Sequence, residues 1–274
     1  MSWPKLLAAL ALALLLTPPG PAAPKKKVLL VGQGPDGHPK TTHEYMAGVR
    51  VLAKCLAGVP DLELTVVRAD GTWQEGPDLL GRADAVVLFV SEGARWIDTD
   101  ARRRTAFARL AARRAGIVAL HWALGTRDAK PVPGFLKLLG GCHGGPDRKY
   151  RVLETDVRVA DPDHPIAAGI GRFRVRDEFY YRLKFVRAKS QVRPILRATI
   201  DGRQETVAWA WERPDGGRSF GFSGLHFHAN WRLRPYRRLV AQAVLWTLKM
   251  PVPKKGLAVD LPYADFKLGQ QGRP

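Results

Sequence analysis

A chain of 274 residues with 46% hydrophobic content can build a full core, as one large domain or two small ones, and this excludes disorder of the whole chain. The formal net charge of +19 invites a nucleic-acid reading, but the arginines are scattered, in RRR at 102–104, in Arg113 and Arg114 and in WRLRPYRR. No helix-turn-helix, zinc finger or aromatic RNA-binding strand accompanies them, so nucleic acid is not an expected partner, whereas an anionic small molecule or an acidic surface stays compatible with the charge.

At the start of the chain, Lys5 precedes an apolar run from Leu6 to Leu16, followed by TPPGPAAP. A charged start, a short apolar centre and a small-residue exit describe a secretory signal peptide over residues 1–23, with cleavage near Ala22 or Ala23. The run is too short to span a bilayer comfortably and no later segment is long and apolar enough. The expectation is an exported protein, periplasmic or secreted, with no membrane attachment after cleavage.

KKKVLLVG then reads as a buried strand ending at Gly32, followed by a polar, Gly-rich loop through His38. The spacing of Tyr45, Val49, Leu52 and Leu56 predicts a helix from about His43, with Thr42 as candidate N-cap. LELTVV is a second strand, GTWQEGPD a polar stretch, ADAVVLFV a third strand, Asp98 to Arg114 a helix with Phe107 and Leu110 inward, and GIVALHW a fourth strand. Strands without polar alternation, separated by helices, imply a parallel sheet covered on both sides, hence a doubly wound α/β unit. In such a sheet the first and fourth strands are expected to be neighbours.

After Gly125 the pattern changes. PVPGFLKLLGG is a short helix, and YRVLETDVRV alternates apolar and polar residues as a half-exposed antiparallel strand does. DEFYYRL, VRPILRAT, TVAWAWE and RSFGFSG follow as strands, and a last helix from about Pro235 to Leu248 sets Leu239, Ala243 and Trp246 on one face. We read one domain over residues 24–254, a mainly parallel core with an antiparallel β extension, and a C-terminal tail over 255–274.

Nearly all of the seven histidines fall where a predicted strand gives way to a loop, which points to one polar site at the rim of the sheet. His121 ends strand four directly, at the corner where several hydrolase folds carry a nucleophile; an imidazole there suits a general base or a metal ligand. His38 and His43 flank the end of strand one and could face the same crevice. In an extended segment His226 and His228 point to one face, where both rings could receive a divalent metal ion, the only cofactor the sequence suggests. Asp177 and Glu178 open the DEFYY strand as candidate base and ligand, and alternation lets only one of them enter a given site. Trp122, Tyr180 and Trp231 suit sugar rings, and equally suit a core. Cys55, among apolar helix residues, reads as buried and inert; Cys142, beside His143 in a Gly-rich loop, is a candidate nucleophile only if its surroundings activate it.

In order along the chain, VLLVGQGPDGHPKTTHEY, VALHWA, FLKLLGGCHGG, DPDHPIAAGIGRFRVRDEFYY and VAWAWERPDGGRSFGFSGLHFHANW resemble the ThuA-like trehalose-utilisation family. The resemblance implies a flavodoxin-like fold similar to class I glutamine amidotransferases, with His121 where the amidotransferase cysteine would stand. It implies a small-molecule carbohydrate substrate, trehalose or a related disaccharide or 3-keto-glycoside, with a sugar dehydrogenase acting upstream. The family's simpler Gly-His is replaced here by Gly-Leu-His-Phe-His, leaving His226 and His228 both open as the family's histidine. An exported enzyme is the leading expectation, with catalysis by His121, Asp177 and Glu178; a non-catalytic sugar- or metal-binding accessory domain is the alternative.

Overall fold

The computed structural model describes residues 24–187 and 192–268; the signal-peptide reading of 1–23 and the last residues of the tail fall outside the described residues. Twelve strands are described: β1 (Lys26–Gly32), β2 (Leu62–Arg68), β3 (Ala85–Phe89), β4 (Gly116–Leu120), β5 (Gly125–Thr126), β6 (Gly141–Gly144), β7 (Lys149–Val159), β8 (Phe173–Tyr181), β9 (Lys184–Phe185), β10 (Val192–Ile200), β11 (Arg203–Glu212) and β12 (Arg218–Phe222). The helices are α1 (Tyr45–Leu56), α2 (Gly76–Arg82), α3 (Gly93–Asp98), α4 (Ala101–Ala112), α5 (Val132–Leu139) and α6 (Arg234–Thr247).

Nine strands form one sheet in the order β2-β1-β3-β4-β12-β11-β10-β7-β8. The first five are mutually parallel, and the remaining four add antiparallel neighbours to β12. Ordered by sequence, the parallel part is the 2-1-3-4-5 arrangement of flavodoxin-like folds, in which ligands gather beyond the carboxyl ends of the strands. Strands one and four are therefore not neighbours, contrary to the sequence expectation, because β3 lies between them.

Side-chain alternation explains how the parallel strands can be apolar throughout. Val28 and Leu30 of β1 join one core with Tyr45, Val49 and Leu52 of α1 and Leu239, Val240 and Ala243 of α6. Leu29 and Val31 enter a second core with Leu80 of α2, Phe107 and Leu110 of α4 and Phe135 of α5. Helices on both faces leave no polar face to alternate with.

Helix boundaries depart from the sequence reading where a cap outranks periodicity. The helix anticipated from Asp98 to Arg114 begins only at Ala101: Asp98 ends the separate helix α3, and the Asp100 side chain accepts the Arg103 amide and starts α4 afresh. The polar stretch before β3 contains α2, a two-turn helix with Pro in its first turn and one buried Leu80, too short to show a period. Thr42 does not cap α1: its hydroxyl donates to the Pro39 carbonyl, and the helix begins at Tyr45. The described part of the tail packs on the body, burying Val259 and Phe266 and accepting hydrogen bonds from Arg237 and His228. Among the described residues no helix is long and apolar enough to cross a membrane.

Candidate functional site

Three chain corners beyond the carboxyl ends of the parallel strands bring three imidazoles together. At the end of β4 the chain turns sharply: His121 adopts a φ of +49°, in the left-handed region, and opens a short 3-10 turn through Leu124. His43 (φ +51°) follows the β1 loop, and Leu225 (φ +77°) precedes His226 after β12. Three non-glycine residues held in this sparsely populated region, all at or beside one cluster, are strain that the surrounding structure must support. The support is visible. Backbone bonds from His43 to the His226 carbonyl and from His228 to the Thr41 carbonyl, with a bridge between Thr42 and Phe227, stitch the two loops into a miniature ladder.

Within the cluster His43 Nε2 lies 3.0 Å from His121 Nε2 and 3.1 Å from His226 Nδ1, and His121 Nε2 lies 3.2 Å from His226 Nδ1. Glu178 Oε1 stands 3.8 Å from His121 Nε2 and 3.7 Å from His226 Nδ1. The outer nitrogens of two rings are fixed: His121 Nδ1 donates to the Ser223 carbonyl at 2.8 Å, and His43 Nδ1 meets Asp36 Oδ2 at 3.0 Å. With those outer nitrogens protonated, the inner nitrogens of His43 and His121 carry lone pairs directed at one point. Around an ion with metal–nitrogen distances of about 2.0–2.1 Å, ligand nitrogens sit about 3.0 Å apart on an octahedral face and about 3.4 Å apart at tetrahedral corners. The triangle falls in that interval. His43, His121 and His226 could thus hold a divalent ion, with Glu178 as a fourth ligand or as a base beside it.

The electrostatics suit that role. Burial holds all three imidazoles below their usual range, His226 at about 4 and His121 far down, with the neighbouring rings adding to the effect. The rings are therefore neutral at working pH and no proton competes for their lone pairs. Burial would raise Asp36, but hydrogen bonds from His43 and Tyr45 hold its carboxyl well below the ordinary range, so a carboxylate backs the His43 imidazole. Glu178 is pushed up to about 7 by burial and by the adjacent Asp177.

The two neighbouring acids divide their work as strand alternation requires. Glu178 faces the imidazoles. Asp177, fully buried, accepts the backbone amides of Leu225 at 2.7 Å, His226 at 3.1 Å and Glu178 at 2.9 Å, and the Tyr236 hydroxyl at 3.0 Å. It anchors the loop that carries His226 and does not face the cluster, so the catalytic role anticipated for it becomes a positioning one.

Beside the cluster opens a cleft of about 100 Å³ lined by His38, His43, Trp122, Arg127, His143, Arg148, Tyr150, Glu178 and Tyr180. Tyr180 reaches His121 Nε2 with its hydroxyl at 3.1 Å and lies between two rings, stacked on His121 at 4.6 Å and on His143 at 3.8 Å. His38 stacks on His43 at 3.7 Å and bonds Asp36. His38, His43, Trp122 and Tyr180 therefore all reach the anticipated crevice.

Besides Asp177, two anticipated residues do not. The extended geometry needed for His226 and His228 to share a face ends at His228, which opens a 3-10 turn and bonds the Phe266 carbonyl instead. Trp231 is fully buried in the core, packed between Gly48 and Phe89. Conversely, Asp36, His143, Arg148 and Tyr150 belong to the site without having been singled out. His143 arrives through the β5–β6 pairing, where a Cβ on Gly125 would sit 1.7 Å from the His143 carbonyl oxygen, so only glycine lets these strands approach.

Cys142 is fully buried and burial pushes its thiol up to about 12; Cys55, in the other core, is raised likewise. Both are free, and neither is activated as a nucleophile. Folded protein at neutral pH is expected to resist iodoacetamide, with both thiols modified only after denaturation; rapid labelling of native Cys142, followed by mass spectrometry, would contradict this burial.

The trehalose-utilisation family ThuA matches residues 28–247. No curated protein matches this chain in sequence. Among solved structures, one described as thua-like, from Parabacteroides merdae ATCC 43184, aligns with a TM-score of 0.63 at 16% identity, covering 90% of this chain and 100% of that one. Another described as thua-like, from Bacteroides uniformis ATCC 8492, gives 0.61 at 15% identity over 82% of this chain and 92% of its own. The cytoplasmic protein STM1381 of Salmonella typhimurium LT2 gives 0.57 at 13% identity over 81% and 99%. At such identities these likenesses concern the fold.

Proposed function

Because the chain belongs to the ThuA trehalose-utilisation family, which gives it a carbohydrate-related role, we propose that it cleaves an oxidised glycoside at a divalent-metal centre held by His43, His121 and His226. The observation that carries this reading is the triangle of inner ring nitrogens at 3.0–3.2 Å. An exported protein, and a sugar dehydrogenase acting upstream to supply a 3-keto-glycoside, complete the proposal.

A ketone at C3 acidifies the hydrogen on C2. Glu178, titrating near working pH, takes that proton, and the electron pair moves in to form the C1–C2 double bond as the bond from C1 to the glycosidic oxygen breaks. Tyr180, kept protonated by its burial and by Glu178, stands at the same cleft to protonate the departing oxygen. Water then adds at C1 of the enone and restores a 3-keto-sugar. The ion, when bound, supplies Lewis acidity toward the ketone oxygen. No covalent enzyme intermediate is needed, which accords with a histidine at the β4 corner and with the burial of both thiols.

Purified protein incubated with 3-keto-trehalose should release glucose, stop on chelation and recover when the ion is restored. Failure to release glucose under any of these conditions removes the hydrolytic reading and leaves a binding module. Glu178→Gln is expected to lower kcat by about 10²–10⁴ while the imidazoles retain the ion. Because the base form is the active one, the wild-type rate should rise with pH, with a midpoint at or below about 7, since a nearby cation can only lower this carboxyl further. A rate that instead falls across that limb would assign Glu178 the opposite protonation state.

A further inference from the structure

The cleft beside the imidazoles contains two groups that the cleavage chemistry does not use. His143 is 2% exposed and its Nε2 has no hydrogen-bond partner among the described residues, although the residue lines the cleft and its ring is clamped flat against Tyr180, 6° from parallel. A buried ring nitrogen without a partner is costly and calls for a ligand group. Arg148, half-buried in the same lining, bonds only the Gly145 carbonyl, at 3.4 Å, and pairs with no carboxylate among the described residues. Its cationic neighbours are already partnered: Arg127 with Glu92 at 2.5 Å and Lys184 with Asp147 at 2.6 Å. The uncompensated charge of the cleft therefore resides on Arg148, whose planar fork matches carboxylate or phosphate oxygens.

Size and surroundings narrow the ligand further. At about 100 Å³ the cleft is small beside ligand pockets of about 300–1,000 Å³, so it takes one group of a sugar and leaves the rest of the molecule outside. At the same lining Tyr150 is 56% exposed, an aromatic face of the kind on which sugar rings stack. The one carboxylate of the lining, Glu178, lies with its Oε1 3.7–3.8 Å from the imidazole nitrogens, at the end of the cleft where the cation would sit.

We infer that this cleft is an anion subsite, formed by Arg148 and His143 Nε2 beside a Tyr150 platform, and that the sugar it takes carries a carboxylate or a phosphate. The inference rests on the carbohydrate reading above and names the class of substrate; it concerns binding, so its test is independent of turnover.

Isothermal titration of the full chain with glucuronate, glucose 6-phosphate, glucose and inorganic phosphate distinguishes the outcomes. At least one anionic sugar should bind tenfold or more tightly than glucose, and whichever of the two does so identifies the anionic group. Arg148→Gln should remove that preference without changing the thermal midpoint, Arg148→Lys should keep part of it, and Tyr150→Ala should weaken the anionic sugar but not inorganic phosphate. Equal affinity for glucose and both anionic sugars, a preference that survives in Arg148→Gln, or inorganic phosphate binding as tightly as the sugar anions would each overturn the inference. Absence of glucose release from 3-keto-trehalose would leave it standing, whereas its own failure would leave the imidazole cluster untouched.

Discussion

His121→Ala is expected to abolish metal retention and turnover together while leaving the protein folded. His121 Nε2 is the corner shared by the two other imidazoles, at 3.0 and 3.2 Å, and its outer nitrogen is fixed by the Ser223 carbonyl. Losing an outer-shell partner of a metal ligand typically lowers affinity about 10–100-fold, so losing the ligand itself should exceed about 100-fold. Alanine brings the same Cβ as histidine to this left-handed corner, so the substitution chiefly removes the ring. Metal content by mass spectrometry after dialysis, with glucose release from 3-keto-trehalose, measures both effects. A variant that keeps its ion and its rate would show that the triangle is a hydrogen-bonded packing feature.

Asp177→Asn should be the most destabilising conservative change near the site. Each carboxylate oxygen accepts two donors, the His226 and Glu178 amides on one and the Leu225 amide and Tyr236 hydroxyl on the other, so a carboxamide NH₂ in either place confronts donors with a donor. Leaving buried donors without acceptors costs about 1–3 kcal/mol each, which puts the expected loss at about 3 kcal/mol by urea unfolding. Because the same bonds set the His226 loop, the variant should also hold its ion about 10–100-fold less tightly. A variant of wild-type stability with weakened metal binding would instead place Asp177 in direct contact with the site.

The architecture was legible because burial of the parallel strands on both faces leaves a readable signature: KVLLVG, AVVLF and GIVAL have no polar alternation, and helices lie between them. The corner histidine followed from its position at the end of β4, and the two-residue period of β8 showed that only one of Asp177 and Glu178 enters the site, without showing which. Other features depend on partners distant in sequence. Whether His226 or His228 turns inward is decided by the 3-10 turn after Phe227 and by a tail carbonyl at Phe266, neither of which the Gly-Leu-His-Phe-His segment encodes locally. Asp36 matters only because His43 and Tyr45 fold back onto it, and Arg148 only because no acid faces it among the described residues. Trp231, beside two histidines in sequence, serves the core because the glycine at position 48 leaves room for its indole.

Titrating chelator-treated protein with Co²⁺ and following the visible absorption bands reads the imidazole centre without requiring a substrate. One equivalent should bind with bands of nitrogen-coordinated cobalt, and those bands should be missing in His121→Ala. Cobalt that binds without stoichiometry, or equally well to wild type and His121→Ala, would contradict a metal centre at His43, His121 and His226.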